Sequence, residues 1–349
     1  MLTIKDIITH LEALAPPAYQ ENYDNAGLIT GDASAEIKGA ICCLDATEEV
    51  IDEAVQKGCN LVVAHHPIVF RGLKKLTGRN YVERVVIKAI KHDVAIYAIH
   101  TNLDNVYFKG VNAKIAEKLG LKNTRILSPK KELKKLSAFV PAAEVESLRS
   151  AFFEAGAGSV NGFDRISYAT LGVGTEAGAA FAQMKLEVIY PSACERTMLN
   201  ALARHSQSAH YEIISLENQS LEIGSGLIGE LPKAMKEAEF LKNLKKVMET
   251  GCVRHTRLLD RPVKTVALCG GSGSFLLPSA IVQKADVFIT GDFKYHEFFD
   301  ADGHLVIADI GHFESEQFTI DLLCEIISEK FPTFAPLKTS VNTNPVLYL

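Results

Sequence analysis

Two histidines stand side by side at the end of an apolar run, Leu61-Val62-Val63-Ala64-His65-His66-Pro67. Imidazole nitrogen is a good ligand for borderline transition metals. Neighbouring side chains at a strand end diverge, so His65 and His66 do not chelate one ion locally, but each could hold one of two adjacent ions. Two further strand-like runs finish in comparable groups. Ile96-Tyr97-Ala98-Ile99 precedes His100 and Asp104, and Leu305-Val306-Ile307-Ala308 precedes His312 and Glu316. His312 and Glu316 stand at i and i+4 of a predicted helix start, which places them on one face. Asp104 follows His100 at the same interval, in a loop-like Thr-Asn-Leu-Asp context where helical geometry is not assumed. Pooled, His65, His66 and His312 with Asp104 and Glu316 can hold two divalent metal ions if a carboxylate bridges. Nitrogen and oxygen donors without sulfur point to Zn first, with Mn, Fe, Co or Ni ahead of Ca or Mg.

Other groups are less specific. The Gly270-Gly271-Ser272-Gly273-Ser274 turn could offer backbone N–H groups to a phosphate, with Gly271, Ser272, Gly273 and Ser274 as the cradle. It is neither a Walker A loop nor a GxGxxG turn, and a tight strand-to-helix connection is the competing reading. Asp292 with His296 could support a ligand or carry a proton, or form a structural pair. His10, His92, His205, His210, His255 and His304 have no partner at ligand spacing and read as structural. The seven cysteines form no CxxC and read as core fillers of a reducing compartment.

The elements that must position these groups alternate. A strand over 39–47, a helix over 48–57, a strand ending at His65, a helix over 81–91, a strand over 94–99 and a helix over 111–119 make βαβ units on a parallel sheet. The beat returns in strands over 265–269, 286–290 and 305–310, each followed by a helix. The third of these helices runs from His312 to about Lys330. Functional groups of both halves fall just past strand C-termini, where open α/β sheets place ligands. Between the halves, strands over 136–140, 166–173, 185–190 and 210–216 with helices over 142–155 and 192–205 give the order βαββαβ, the ferredoxin-like arrangement. The fold expected is therefore α/β: two similar halves, 1–127 and 226–349, forming one core with mostly parallel sheets. An inserted ferredoxin-like α+β domain spans 128–225, and a glycine-rich hinge at 224–226 returns the chain to the core.

Composition narrows the function. The chain has 349 residues, 47% of them hydrophobic, and a net charge of −5. That balance carries no basic footprint for nucleic acid, and no apolar stretch is long enough to span a bilayer. The N-terminus lacks a signal-peptide pattern, so a cytoplasmic location is expected.

The motifs taken together resemble the GTP cyclohydrolase 1 type 2 homologue family, the NGG-interacting-factor-like proteins. Tyr23-Asp24-Asn25-Ala26-Gly27-Leu28 is similar to the family's Trp-Asp-Asn-x-Gly-Leu, with tyrosine in place of tryptophan. Leu44-Asp45-Ala46-Thr47, His65-His66-Pro67, His100 to Asp104, Gly270 to Ser274, Thr290-Gly291-Asp292 with Tyr295-His296, and Gly311-His312 to Glu316 follow in order. The resemblance implies a dinuclear metal site at His65, His66, Asp104, His312 and Glu316, a toroidal homohexamer, and an insert like the PII/CutA-type fold. The run His205-Ser206-Gln207-Ser208-Ala209-His210-Tyr211 departs from the His-Pro-Tyr-Glu-Glu of many long members, which weakens a sensing role for the insert.

Two metals close together would activate water and polarise a substrate. The expected activity is hydrolytic opening of a purine nucleotide ring with release of formate. A metal-dependent nucleotide phosphoesterase and a non-catalytic metal-binding scaffold or regulator are the alternatives.

Overall fold

The computed structural model describes residues 1–205 and 209–349. They divide into two compact units, residues 1–128 with 224–349, and residues 129–223.

The first unit opens with α1 (Ile4–Leu14), started by a capping box in which the Thr3 hydroxyl accepts from the Asp6 N–H and the Asp6 carboxylate accepts from the Thr3 N–H. Then come β1 (Gly27–Thr30), β2 (Ala40–Asp45), α2 (Glu48–Gln56), β3 (Leu61–His66), α3 (Tyr81–Lys91), β4 (Ala95–Ala98), the single turn α4 (Thr101–Asp104) and α5 (Val111–Lys118). β2, β3 and β4 pair in parallel, with Asp45 opposite His66, and β1 joins the edge antiparallel. These strands are continuously apolar because both faces of the sheet are covered. Ile41, Val62 and Ile96 pack with Val50, Ile51, Val85 and Ala89 of α2 and α3 in one buried cluster. Fully burying each such aliphatic side chain contributes about 1.5–3 kcal/mol.

After β5 (Lys122–Pro129), the second unit runs β6 (Leu133–Val140), α6 (Val145–Glu154), β7 (Ser167–Glu176), β8 (Ala179–Pro191), α7 (Glu195–His205) and β9 (His210–Ser215). Its sheet has the order β7-β8-β6-β9, antiparallel throughout. Phe152, Leu148 and Met198 of the helices meet Leu136, Leu186 and Tyr190 of the strands in its core. The β7–β8 hairpin is longer than the apolar pattern indicates, because residues 174–182 are mostly exposed and ladder pairing alone extends it. Within the run 205–211, residues 206–208 lie outside the described residues.

The chain returns through β10 (Gly224–Lys236), α8 (Glu237–Val247), β11 (Arg254–His255), β12 (Pro262–Ser272), α9 (Leu277–Val282), β13 (Val287–Gly291), β14 (Val306–Asp309), α10 (His312–Glu316), α11 (Thr319–Lys330) and β15 (Leu337–Lys338). β12, β13 and β14 repeat the parallel pattern of β2, β3 and β4. The expected hinge at 224–226 is corrected: these residues begin β10, a thirteen-residue strand antiparallel to β12. Gly226 serves close approach, since a Cβ there would meet the Leu268 carbonyl at 2.8 Å. The helix expected from His312 to Lys330 is two helices, broken at Gln317 and Phe318, where the Gln317 amide turns to donate to the Met248 carbonyl.

β15 adds to the first sheet beside β2, in parallel, so the C-terminal segment crosses back to the N-terminal half. Glu53 anchors it there. Its carboxylate accepts from Ser340 N, Ser340 Oγ and Thr339 Oγ1, and pairs with Lys57. Burial alone would raise the Glu53 pKa, but these donors outweigh it and hold the group near 2. A carboxyl depressed in the folded state stabilises above its unfolded value and loses that stabilisation as pH falls through the folded one. Glu53→Gln is expected to cost about 1–3 kcal/mol at neutral pH, with the deficit shrinking between roughly pH 4.5 and 2. Urea titrations at several pH values measure this, and a deficit independent of pH contradicts the assignment.

Candidate metal site

The C-terminal ends of β3, β4, β13 and β14 converge on a cavity of about 740 Å³. Each imidazole of the cluster at or beneath it is aimed by its Nδ1. His65 Nδ1 donates to the Ile99 carbonyl at 2.8 Å, and His66 Nδ1 to Asp45 Oδ1 at 2.9 Å. His100 Nδ1 donates to Asp24 Oδ1 at 2.8 Å, and His312 Nδ1 to Asp292 Oδ2 at 2.6 Å. Engaging Nδ1 in this way fixes the ring and commits Nε2 to the other side, the arrangement that metal-binding histidines use.

Glu316 is the counterpart to these rings and is almost wholly buried. Its Oε2 accepts from His66 Nε2 at 2.9 Å and lies 3.2 Å from His312 Nε2. Its Oε1 lies 3.8 Å from His65 Nε2. Asp104, on the turn α4, has Oδ1 3.6 Å from the same nitrogen. His66 Nε2 and His312 Nε2 are 3.3 Å apart. The five residues expected as ligands are thus brought together from β3, α4 and α10. His65, His66 and Glu316 each offer a donor atom within 4.8 Å of the others, a cluster that could bind a metal ion.

The donor set fits such an ion. Among the described residues, five buried side-chain polar atoms lack a hydrogen-bond partner, and two of them are His65 Nε2 and Asp104 Oδ1, which face one another. Two acceptors confronting each other in a buried site are costly unless a cation or a proton stands between them. The charges of the cluster act on one another. Burial would lower the pKa of His66, but Asp45 and Glu316 raise it to about 10. Burial also opposes protonation of His312, and Asp292 and Glu316 raise it to about 11. Burial and the Glu316 charge push Asp104 well up, whereas Glu316, despite its burial, is held well down by His312 and His66. His65 is lowered by burial, and its Nε2 lone pair is available.

The glycines explain how the backbone admits this cluster. A Cβ on Gly271, which has φ +62°, would meet Glu316 Oε1 at 2.4 Å, and one on Gly291 would meet the His312 N–H nitrogen at 2.8 Å. Asp292 itself adopts a left-handed φ of +59° to present its carboxylate to His312. Two amides of the Gly270–Ser274 turn are engaged within the protein. Gly270 N donates to Asn112 Oδ1 and Gly271 N to Ser315 Oγ. Ser272 lines the cavity. His296 is exposed, packs edge-on against Tyr295 and does not line the cavity, so it is Asp292 alone of that pair that reaches the cluster. Sequence reasoning assigned no role to Asp24 or Asp45. The signal for Asp45 was its register position beside His66 on the neighbouring strand.

Comparison with known proteins gives the family. The family model described as Duf34/NIF3 (NGG1p interacting factor 3) matches residues 2–345. The chain belongs to that family. A Bacillus subtilis relative named GTP cyclohydrolase 1 type 2 homolog is 34% identical over 328 residues, 88% of each chain. A Halalkalibacterium halodurans relative of the same name is 32% identical over 366 residues, 98% of each. Among solved structures, a Bacillus cereus protein related to NIF3 superposes with a TM-score of 0.84 at 31% identity, covering 100% of this chain and 99% of that one. A Staphylococcus aureus protein gives 0.81 at 29%, with the same coverage.

Two outcomes are expected of this Duf34/NIF3 site. Metal uptake by the metal-free chain must displace protons from His66 and His312, so affinity rises with pH across neutrality and protons are released. Calorimetry in buffers of different ionisation enthalpy measures the release, and pH-independent uptake contradicts the geometry. Gly271→Ala drives a methyl group into Glu316 and is expected to lower metal affinity by at least about tenfold, read by equilibrium dialysis with Zn²⁺ and elemental analysis.

Proposed function

We propose that the chain is a metal-dependent hydrolase holding two divalent cations side by side. One half-site comprises His65, Asp104 and Glu316 Oε1, and the other His66, His312 and Glu316 Oε2. The observation that carries this reading is the splitting of Glu316, which turns one oxygen towards His65 and the other towards His66 and His312. Two such ions, when bound, lower the pKa of water and polarise a substrate. Zinc suits the nitrogen and oxygen donors, as do Mn, Fe, Co and Ni.

The substrate class we infer is a purine nucleotide or a compound with the same ring, opened at the carbon between the two nitrogens of its five-membered ring. Two waters add in turn, two C–N bonds break, and the carbon leaves as formate. The relatives' printed name supports this reaction. In it, Asp24 holds Nδ1 of His100 while Thr101 donates to the other Asp24 oxygen. That leaves His100 Nε2 to take a proton from the attacking water and pass it to a departing ring nitrogen. His100 lines the cavity outside both half-sites. We read the insert as a ferredoxin-like module of the PII/CutA kind, set between two α/β halves, and the working assembly as a homohexamer.

With two ions per chain bound, formate release from a purine substrate is expected, abolished by chelator and restored by metal. Glu316→Gln should lose both ions and all turnover, whereas His312→Ala should retain one ion. Elemental analysis with a formate assay tests this. One ion per wild-type chain at saturation, or retention of both ions by Glu316→Gln, sinks the dinuclear reading.

A further inference from the structure

We propose that the cavity selects a flat nitrogen heterocycle carrying little negative charge, a purine base or nucleoside, and discriminates against the polyphosphate tail. This rests on the hydrolase reading for its chemistry, but the selectivity follows from the lining. Three aromatic side chains from separate segments, Tyr23, Phe70 and Phe275, line the cavity while remaining 71%, 51% and 65% exposed. Large aromatic faces left open around a concave polar floor are the usual mark of a ring-binding slot. Phe70 is also packed edge-on against His100, with ring centroids 5.8 Å apart. A ring lying between these faces would therefore present its edge nitrogens to the imidazole held by Asp24.

The charges argue against a phosphate chain. Among the described residues, seven carboxylates line the cavity, including Glu21, Asp309 and Glu314 in addition to those already discussed, and no lysine does. Arg254 is the one guanidinium, and it is already engaged: it pairs with Asp309, donates to the Phe293 carbonyl and lies over the Phe298 ring. Even with two divalent cations and Arg254 counted, the lining is net negative. Of the glycine-rich turn, the Gly270 and Gly271 amides are taken by Asn112 and Ser315, and α9 beyond it is only six residues long. A tail with up to four negative charges would meet carboxylates where known phosphate sites place free N–H groups and cations.

The test is calorimetric titration of the full chain, loaded with two Zn²⁺, with guanosine, GMP and GTP at constant ionic strength and with free metal buffered. Guanosine is expected to bind at least about tenfold more tightly than GTP, with GMP between, and the gap should narrow as salt screens the carboxylates. Phe275→Ala and Phe70→Ala should each weaken guanosine roughly tenfold, the scale of one lost ring stack, with metal content unchanged. Affinity that rises with each added phosphate overturns the proposal, as does the absence of binding by any of the three ligands. Guanosine binding without formate release would instead sink the hydrolase reading and leave the ring slot standing.

Discussion

A buried carboxylate surrounded by imidazoles is the constraint around which this molecule is arranged. Glu316 is removed from water almost completely, and an unpaired charge in that position would cost several kcal/mol. Its compensation is assembled from distant parts of the chain. His66 comes from a strand 250 residues earlier, and His312 from one helical turn away. The close approach this needs is possible because the strand ends facing α10 carry glycine. At Gly271 and Gly291 any side chain would collide with Glu316 or with the backbone of His312. In three dimensions the glycine-rich turn gives clearance for a carboxylate.

The imidazoles are held as firmly as the carboxylate. A buried backbone carbonyl fixes His65, and Asp45, Asp24 and Asp292 fix His66, His100 and His312. Each supporting carboxylate lies at a strand end or turn of the α/β core, so the same sheet geometry that aligns the histidines aligns their partners. Asp45 lies opposite His66 in the β2–β3 ladder. Asp292 takes a left-handed backbone conformation immediately after β13, a local strain tolerated because its hydrogen bond to His312 is short and charge-assisted.

The C-terminal segment ties the two α/β halves of the first unit together. β15 extends the sheet that carries His65 and His66. Beyond it, Thr343 donates to Asp45 and Asn344 to Glu314, a buried residue of the helix that carries Glu316. The last residues therefore steady both sides of the cluster at once. Asn344, Pro345, Val346 and Tyr348 also line the cavity, so the segment that closes the fold also shapes what the site admits.

The parallel strands and the helices between them were legible because their cores are continuously apolar, or periodic at 3.6 residues, and end in polar turns. α3 runs over the same residues, Tyr81–Lys91, that its apolar face indicates. β1, β10, β11 and β15 were not legible, since they are short, edge-placed or rich in glycine, and ladder pairing with distant strands makes them. The residue types and their positions at strand ends determined by themselves that nitrogen and oxygen donors would gather in a cleft at the sheet's C-terminal edge. Tertiary structure alone decided which oxygen of Glu316 faces which ring, which carboxylate holds each Nδ1, and which glycine amides are already spent. Those choices depend on contacts between segments hundreds of residues apart, and no local preference of the chain encodes them.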